Sequence, residues 1–171
     1  MVSGLRVGEG FDVHRFSDDA ERPLVLGGVV VTGEGAQGLV GHSDADALAH
    51  AVADAVLGAA GLGDLGAHAP DTDPRWRGAD SIAILAGVVA RARSAGWAVV
   101  NADCTVVAER PHLAPFVGRM ADRLSAALGA PANVKATRSE GLGALGRAEG
   151  VASRAVVLLA AAEPAPSIGD G

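Results

Sequence analysis

The sequence predicts a single α/β domain, a mixed β-sheet with helices packed on one face. Three observations predict it: a hairpin signal, two long helical patterns, and strand runs separated along the chain. At 171 residues the chain is long enough for one hydrophobic core, and its 49% hydrophobic and 20% charged content fits a folded globular protein.

Residues 5–14 alternate as a strand, which puts Asp12 and His14 on the same face. Leu24-Val25-Leu26 and Val29-Val30-Val31 flank Gly27-Gly28, a hairpin signal. Ser43 or Asp44 is expected to cap a helix from Ala45 to about Gly58. At about 100° per residue, Asp46, His50 and Asp54 form a polar stripe opposite Leu48, Val52, Ala55 and Ala59. The glycines and prolines between residues 61 and 78 predict an ordered turn or a mobile loop rather than a regular element.

A second helix is expected from Ser81, with Ile82, Leu85, Val88 or Val89 and Ala92 on one face and a stop at Gly96. Residues 97–107 read as a long strand. Pro111 and Pro115 then introduce a helix carrying Phe116, Met120, Leu124 and Leu128 to Gly129. Residues 133–137 predict a short strand, 141–146 a glycine-rich turn, and 150–159 a strand whose alanines also permit helix. The domain is expected over residues 1–160, with 161–171 a disordered tail. Helices on one sheet face would leave the other face bare and in need of a partner.

A net charge of −6 argues against general affinity for nucleic acid or anionic membranes, because such binding relies on Lys and Arg neutralising phosphates. The longest wholly apolar run, 155–162, is too short to cross a bilayer, and no signal segment opens the chain; a cytoplasmic protein is expected. Cys104 is the only cysteine and reads as a buried, inert thiol.

Asp12, His14 and His50 bring one carboxylate and two imidazoles together, a set that suits Zn²⁺ with an open fourth position. Asp46 and Asp54 lie one turn either side of His50, where one could accept its second ring proton; the alternative is a solvated acidic face or helix-entry charge. From the residues alone, Lys135 also reads as a strand-edge residue and Asp71 and Asp73 as turn formers. Arg147 and Glu149 are spaced to share a strand face. On the triad alone, hydrolysis by a zinc-bound hydroxide and ligand binding by a zinc-stapled module stay open.

The motifs Gly10-Phe11-Asp12-Val13-His14, His42-Ser43-Asp44-Ala45-Asp46, Gly63-Asp64-Leu65-Gly66, Pro70-Asp71-Thr72-Asp73-Pro74, Gly78-Ala79-Asp80-Ser81, Val134-Lys135-Ala136-Thr137 and Gly146-Arg147-Ala148-Glu149-Gly150 occur in this order. Together they resemble the 2-C-methyl-D-erythritol 2,4-cyclodiphosphate synthase family, from about Arg6 to Leu159. The resemblance implies a homotrimer, formed through the bare sheet faces, with active sites between adjacent subunits. It implies cyclisation of 4-diphosphocytidyl-2-C-methyl-D-erythritol 2-phosphate with release of CMP, in non-mevalonate isoprenoid biosynthesis.

By motif match, Asp12, His14 and His50 resemble Zn²⁺ ligands and Glu140 the carboxylate that binds a second ion, Mg²⁺ or Mn²⁺. The resemblance assigns His42 and Ser43 to the substrate phosphates, and Asp64, Leu65 and Gly66 to the methylerythritol hydroxyls. Ala69, Pro70, Asp71, Thr72 and Asp73 complete that pocket. The segment Ala108, Glu109, Arg110, Pro111, His112, Leu113 and Ala114, with Ala136 and Thr137, is similar to the part that holds the nucleotide; Lys135, as counter-charge to the phosphates, and Ser139 are also expected to contact the substrate. Arg147 and Glu149 are expected to line a central trimer cavity that accepts an isoprenoid-type phosphate.

Three positions depart from the family pattern. Arg138 stands where a second threonine is usual, at a position associated with stabilising the transferring phosphate, so a planar cation would have to serve there. His112 replaces a lysine in the nucleotide segment, which would make its charge partial near neutral pH. Ala144 replaces an aromatic residue beside the cavity and opens that wall.

Overall fold

The computed structural model describes residues 4–162, so the predicted tail from residue 163 onward lies outside the described residues. Four strands, β1 (Leu5–Arg15), β4 (Trp97–Val107), β5 (Ala132–Thr137) and β6 (Gly150–Ala161), form one sheet in the order β1-β6-β4-β5. The β1–β6 and β6–β4 pairs are antiparallel. β4 and β5 are parallel and are joined through α4 (Val117–Leu128), so the sheet is mixed as the sequence predicts. Helices α1 (Ala47–Ala60), α3 (Ser81–Ser94) and α4 cover one face.

The central helix, α1, differs from the expected amphipathic one. Apart from His50, Asp54 and Gly58 its residues are buried, because it is enclosed by β1 and β6 on one side and α3 on the other. Its small side chains allow a very close approach to β1. A Cβ on Gly10 would sit 1.9 Å from the Ala51 carbonyl oxygen, and one on Gly8 would sit 2.0 Å from that of Ala55. Glycine is therefore required at both positions by backbone contact, and the contact brings His50 beside Asp12 and His14.

The helix starts two residues later than the sequence predicts, and its cap is Asp46 rather than Ser43 or Asp44. The Asp46 carboxylate is fully buried and accepts from the amides of Leu48 and Ala49 at 3.1 and 2.9 Å. It also accepts from the amides of Gly27 and Gly28, at 2.8 and 2.6 Å, in the turn between β2 (Leu24–Leu26) and β3 (Val29–Val31). Both glycines have positive φ, 57° and 69°, the pattern of a tight hairpin turn. Burial pushes the Asp46 carboxyl upward, against those amides.

The segment between α1 and α3 is more regular than predicted. It contains the short helix α2 (Leu65–His68), capped by Asp64, and a 3-10 turn at Pro74–Trp76, capped by Asp73. The expected glycine-rich turn near residue 143 likewise winds into a one-turn helix, α5 (Gly143–Gly146). The last run is a strand throughout and extends to Ala161, one residue past the expected domain end.

The outer sheet face carries Val7, Phe11, Val13 and Val156 at 69%, 54%, 53% and 46% exposure. They sit beside the Arg154–Glu9 ion pair at 2.6 Å, whereas Arg147 and Glu149, also paired at 2.6 Å, lie in the turn between α5 and β6 rather than on a strand face as the sequence predicts. Cys104 is buried in the core, which pushes its thiol up to about 12. Among the described residues no helix is long and apolar enough to cross a membrane.

Candidate metal centre and adjoining clefts

The end of β1 and the second turn of α1 build one site. The strand period presents Asp12 and His14 on the helix-covered face, and the glycine contacts upstream hold α1 against them. Asp12 Oδ2 lies 2.9 Å from His14 Nε2 and 3.0 Å from His50 Nδ1. One ligand atom from each residue lies within 4.8 Å of the others. Burial alone would raise the Asp12 carboxyl, but the hydrogen bonds and charges of the two imidazoles hold it well below the usual carboxylate range. The reciprocal bond from Asp12 raises His14.

The donor set fits a divalent cation. Tetrahedral Zn²⁺ with ligand bonds of about 2.0–2.2 Å separates neighbouring donors by roughly 3.3 Å, so the two distances from Asp12, 2.9 and 3.0 Å, need only a small opening. His14 Nδ1–H donates to the Val40 carbonyl at 2.6 Å, which leaves Nε2, the nitrogen facing Asp12, as the one that would give up its proton to a cation.

The expected partners of His50 are different. Asp46 is committed to the hairpin turn and helix cap, and Asp54 accepts from the Leu65 amide at 2.6 Å, fixing the start of α2. Neither reaches His50. Its Nε2 lies instead 2.9 Å from Ser81 Oγ and 3.2 Å from Ser43 Oγ. Ser81 belongs to a quoted motif, but the sequence presents it only as the first residue of a scaffold helix.

The triad opens into a cleft of about 510 Å³. His42 and Ser43 form one wall, Leu65, Gly66, Ala69, Pro70 and Asp71 another, with Trp76 and Ile84 as apolar members that sequence reasoning missed. Arg22, also missed, grips the loop that carries His42: one guanidinium nitrogen donates to the Gly41 and Ser43 carbonyls at 3.1 and 2.6 Å. Asp73 binds Arg75 through its side chain and faces His42 through its carbonyl, 3.2 Å from Nε2. Thr72 does not line the cleft.

A second hollow of about 180 Å³ lies at the ends of β4 and β5, lined by Ala108, Glu109, Pro111 to Ala114, Ala136, Thr137 and Arg138. The Arg110–Pro111 peptide there is cis. Glu109 lines the hollow, and one of its carboxylate oxygens accepts from the Gly141 amide at 3.1 Å and from the Ser139 amide and hydroxyl at 3.0 Å each. Glu140, at φ 54°, sits on the turn so held, and it is not part of the metal cluster. Lys135 pairs with Asp103 on the sheet surface, outside both hollows. The two hollows share no residue within one chain.

The chain matches the YgbB family over residues 5–160. It is 55% identical over 158 residues to 2-C-methyl-D-erythritol 2,4-cyclodiphosphate synthase of Geobacillus kaustophilus, covering 91% of this chain and 98% of that one. It is also 55% identical to the bifunctional enzyme IspD/IspF of Anaeromyxobacter dehalogenans, where it spans 93% of itself and 41% of the longer protein. A solved structure of 2C-methyl-D-erythritol-2,4-cyclodiphosphate synthase in a CDP-bound form superposes with a TM-score of 0.79 at 38% identity, over 90% of this chain and 99% of that one. The metal-suited triad, its cleft and these matches over nearly the whole fold lead to one conclusion: the chain belongs to the 2-C-methyl-D-erythritol 2,4-cyclodiphosphate synthase family.

Proposed function

We propose that this chain converts 4-diphosphocytidyl-2-C-methyl-D-erythritol 2-phosphate to 2-C-methyl-D-erythritol 2,4-cyclodiphosphate and CMP in the cytoplasm. The observation that carries this reading is the Asp12, His14 and His50 cluster opening directly into the cleft bounded by His42, Ser43 and Asp71. The nucleophile is a substrate phosphate oxygen whose second pKa is about 6, so it is ionised at neutral pH without a protein base. What the protein must supply is in-line placement and counter-charge.

Asp12, His14 and His50 would hold Zn²⁺, which when bound polarises a phosphoryl oxygen and offsets its charge. His42 and Ser43 would donate to the same phosphates from a loop that Arg22 keeps rigid. The amides around α2 and the side chains of Asp64 and Asp71 would take the methylerythritol hydroxyls. The second hollow, with Ala108 to Ala114, Ala136 and Thr137, would take cytosine and ribose phosphates, and Glu140 would hold Mg²⁺ or Mn²⁺. Arg138 would offset charge on the transferring group, with Lys135 as a more distant cation.

The site would be completed by a neighbouring subunit. Support comes from the separation of the two hollows in one chain and from the apolar outer sheet face, whose exposed Val7, Phe11 and Val13 favour burial in a homotrimer. Arg147 and Glu149 would then face the central cavity, open to an isoprenoid-type phosphate beside Ala144.

Incubation with the diphosphocytidyl substrate, Zn²⁺ and Mg²⁺ tests the reading. Equal amounts of CMP and the cyclic diphosphate are expected. An open-chain product would indicate hydrolysis, and no product would reject the proposal.

A further inference from the structure

His50 presents two nitrogens, and only one can be a ligand to the cation of the triad. The hydrogen bonds around Ser81 decide which. Ser81 Oγ–H donates to the Asp44 carboxylate, which can only accept; the Ser81 amide donates to the other Asp44 oxygen at 3.1 Å. A hydroxyl has one proton. Toward His50 Nε2, 2.9 Å away, Ser81 Oγ can therefore act only as an acceptor.

We infer that Ser81, anchored by Asp44, is a positioning residue that holds the Nε2 proton of His50 and so leaves Nδ1, the nitrogen facing Asp12, as the one that a cation would take. His50 Nδ1 lies 3.0 Å from Asp12 Oδ2. The arrangement parallels that of His14, where the Val40 carbonyl takes the Nδ1 proton and frees Nε2. The two imidazoles thus bind through different nitrogens, each set by a different neighbour, a carbonyl for one and an oriented hydroxyl for the other. Ser81 is almost wholly buried at the start of α3, so water does not readily replace its hydroxyl. Ser43 Oγ, at 3.2 Å, is the fallback acceptor, but it already accepts from the Ala45 amide at 3.1 Å and faces the cleft.

This rests on the triad being the metal site, and the test separates the two claims. Full-length protein labelled with ¹⁵N-histidine and loaded with Zn²⁺ is read by long-range ¹H–¹⁵N correlation, and zinc affinity is measured against a competing chelator. In the parent protein His50 is expected to show a protonated Nε2 and a metal-bound Nδ1. Ser81→Ala should weaken zinc by about 10–100-fold, the usual effect of losing such a neighbour, while Ser81→Thr, which keeps the hydroxyl, recovers most of it. Asp12→Ala is the control for the site itself; undiminished zinc binding there would remove the triad and this inference with it. Zinc bound through Nε2, or parental zinc affinity in Ser81→Ala, would overturn the role of Ser81 alone.

Discussion

Adding one methyl group at Gly10 should separate the proposed metal ligands although it touches none of them. Its Cβ would lie 1.9 Å from the Ala51 carbonyl oxygen and 2.7 Å from the Ala55 amide nitrogen, where ordinary contact begins at 3.4 Å, a shortfall of about 1.5 Å. The obstruction is helix backbone, which has no rotamer to change, so β1 and α1 must move apart. Overpacking costs typically about 1–3 kcal/mol, and the upper end applies here. For a domain of this size that corresponds to a melting decrease of roughly 6–12 °C.

Asp12 follows Gly10 by two residues on the same strand face, while His50 precedes Ala51 on α1, so the same displacement enters the proposed metal site. Ligand distances tolerate only about 0.2 Å, and zinc affinity should fall by at least about tenfold. Differential scanning calorimetry and chelator competition on Gly10→Ala measure both effects. Gly58→Ala is the internal control: it lies on the same helix, and its added Cβ would meet only the Glu9 carbonyl at 4.0 Å. That change should be neutral or stabilise by about 0.5–1 kcal/mol. Parental melting and zinc binding in Gly10→Ala would refute the argument that backbone contact sets the ligand geometry.

Removing Arg22 should free the loop bearing His42: Arg22→Ala, which loses two bonds worth about 1.5–3 kcal/mol each, is expected to lower kcat/KM well over tenfold while zinc affinity changes much less. Steady-state kinetics beside chelator competition read the split. The Gly141 amide, with the amide and hydroxyl of Ser139, holds the Glu109 carboxyl below its ordinary value of 4.5. A lowered folded value means that its contribution is complete above 4.5 and is lost as pH falls through the folded value. Amide exchange at Ser139 and Gly141 should accelerate on acidification, and Glu109→Gln should flatten that response. Cys104, with its thiol pushed up to about 12 by burial, should resist iodoacetamide in the native protein at pH near 8 and react once the chain is unfolded; native alkylation at the rate of a free thiol would contradict it.

The sequence alone determined the order of strands and long helices, the pairing of Asp12 with His14, and the addition of His50 to them. Those features depend on periods of two and 3.6 residues and on glycine or proline punctuation, which near neighbours encode. It missed the helical turns at Leu65 and Pro74, where capping by Asp64 and Asp73 outweighs the turn-forming composition. Tertiary structure decided the rest. Asp46 has the right spacing to serve His50, yet the unpaired amides of Gly27 and Gly28 claim its carboxylate from 19 and 18 residues away. The acceptor that His50 finds is Ser81, 31 residues distant, brought there by α3 packing on α1. Local pattern says which way a side chain points, but which polar group meets it depends on how the layers pack, and the packing is set by burial of the whole core.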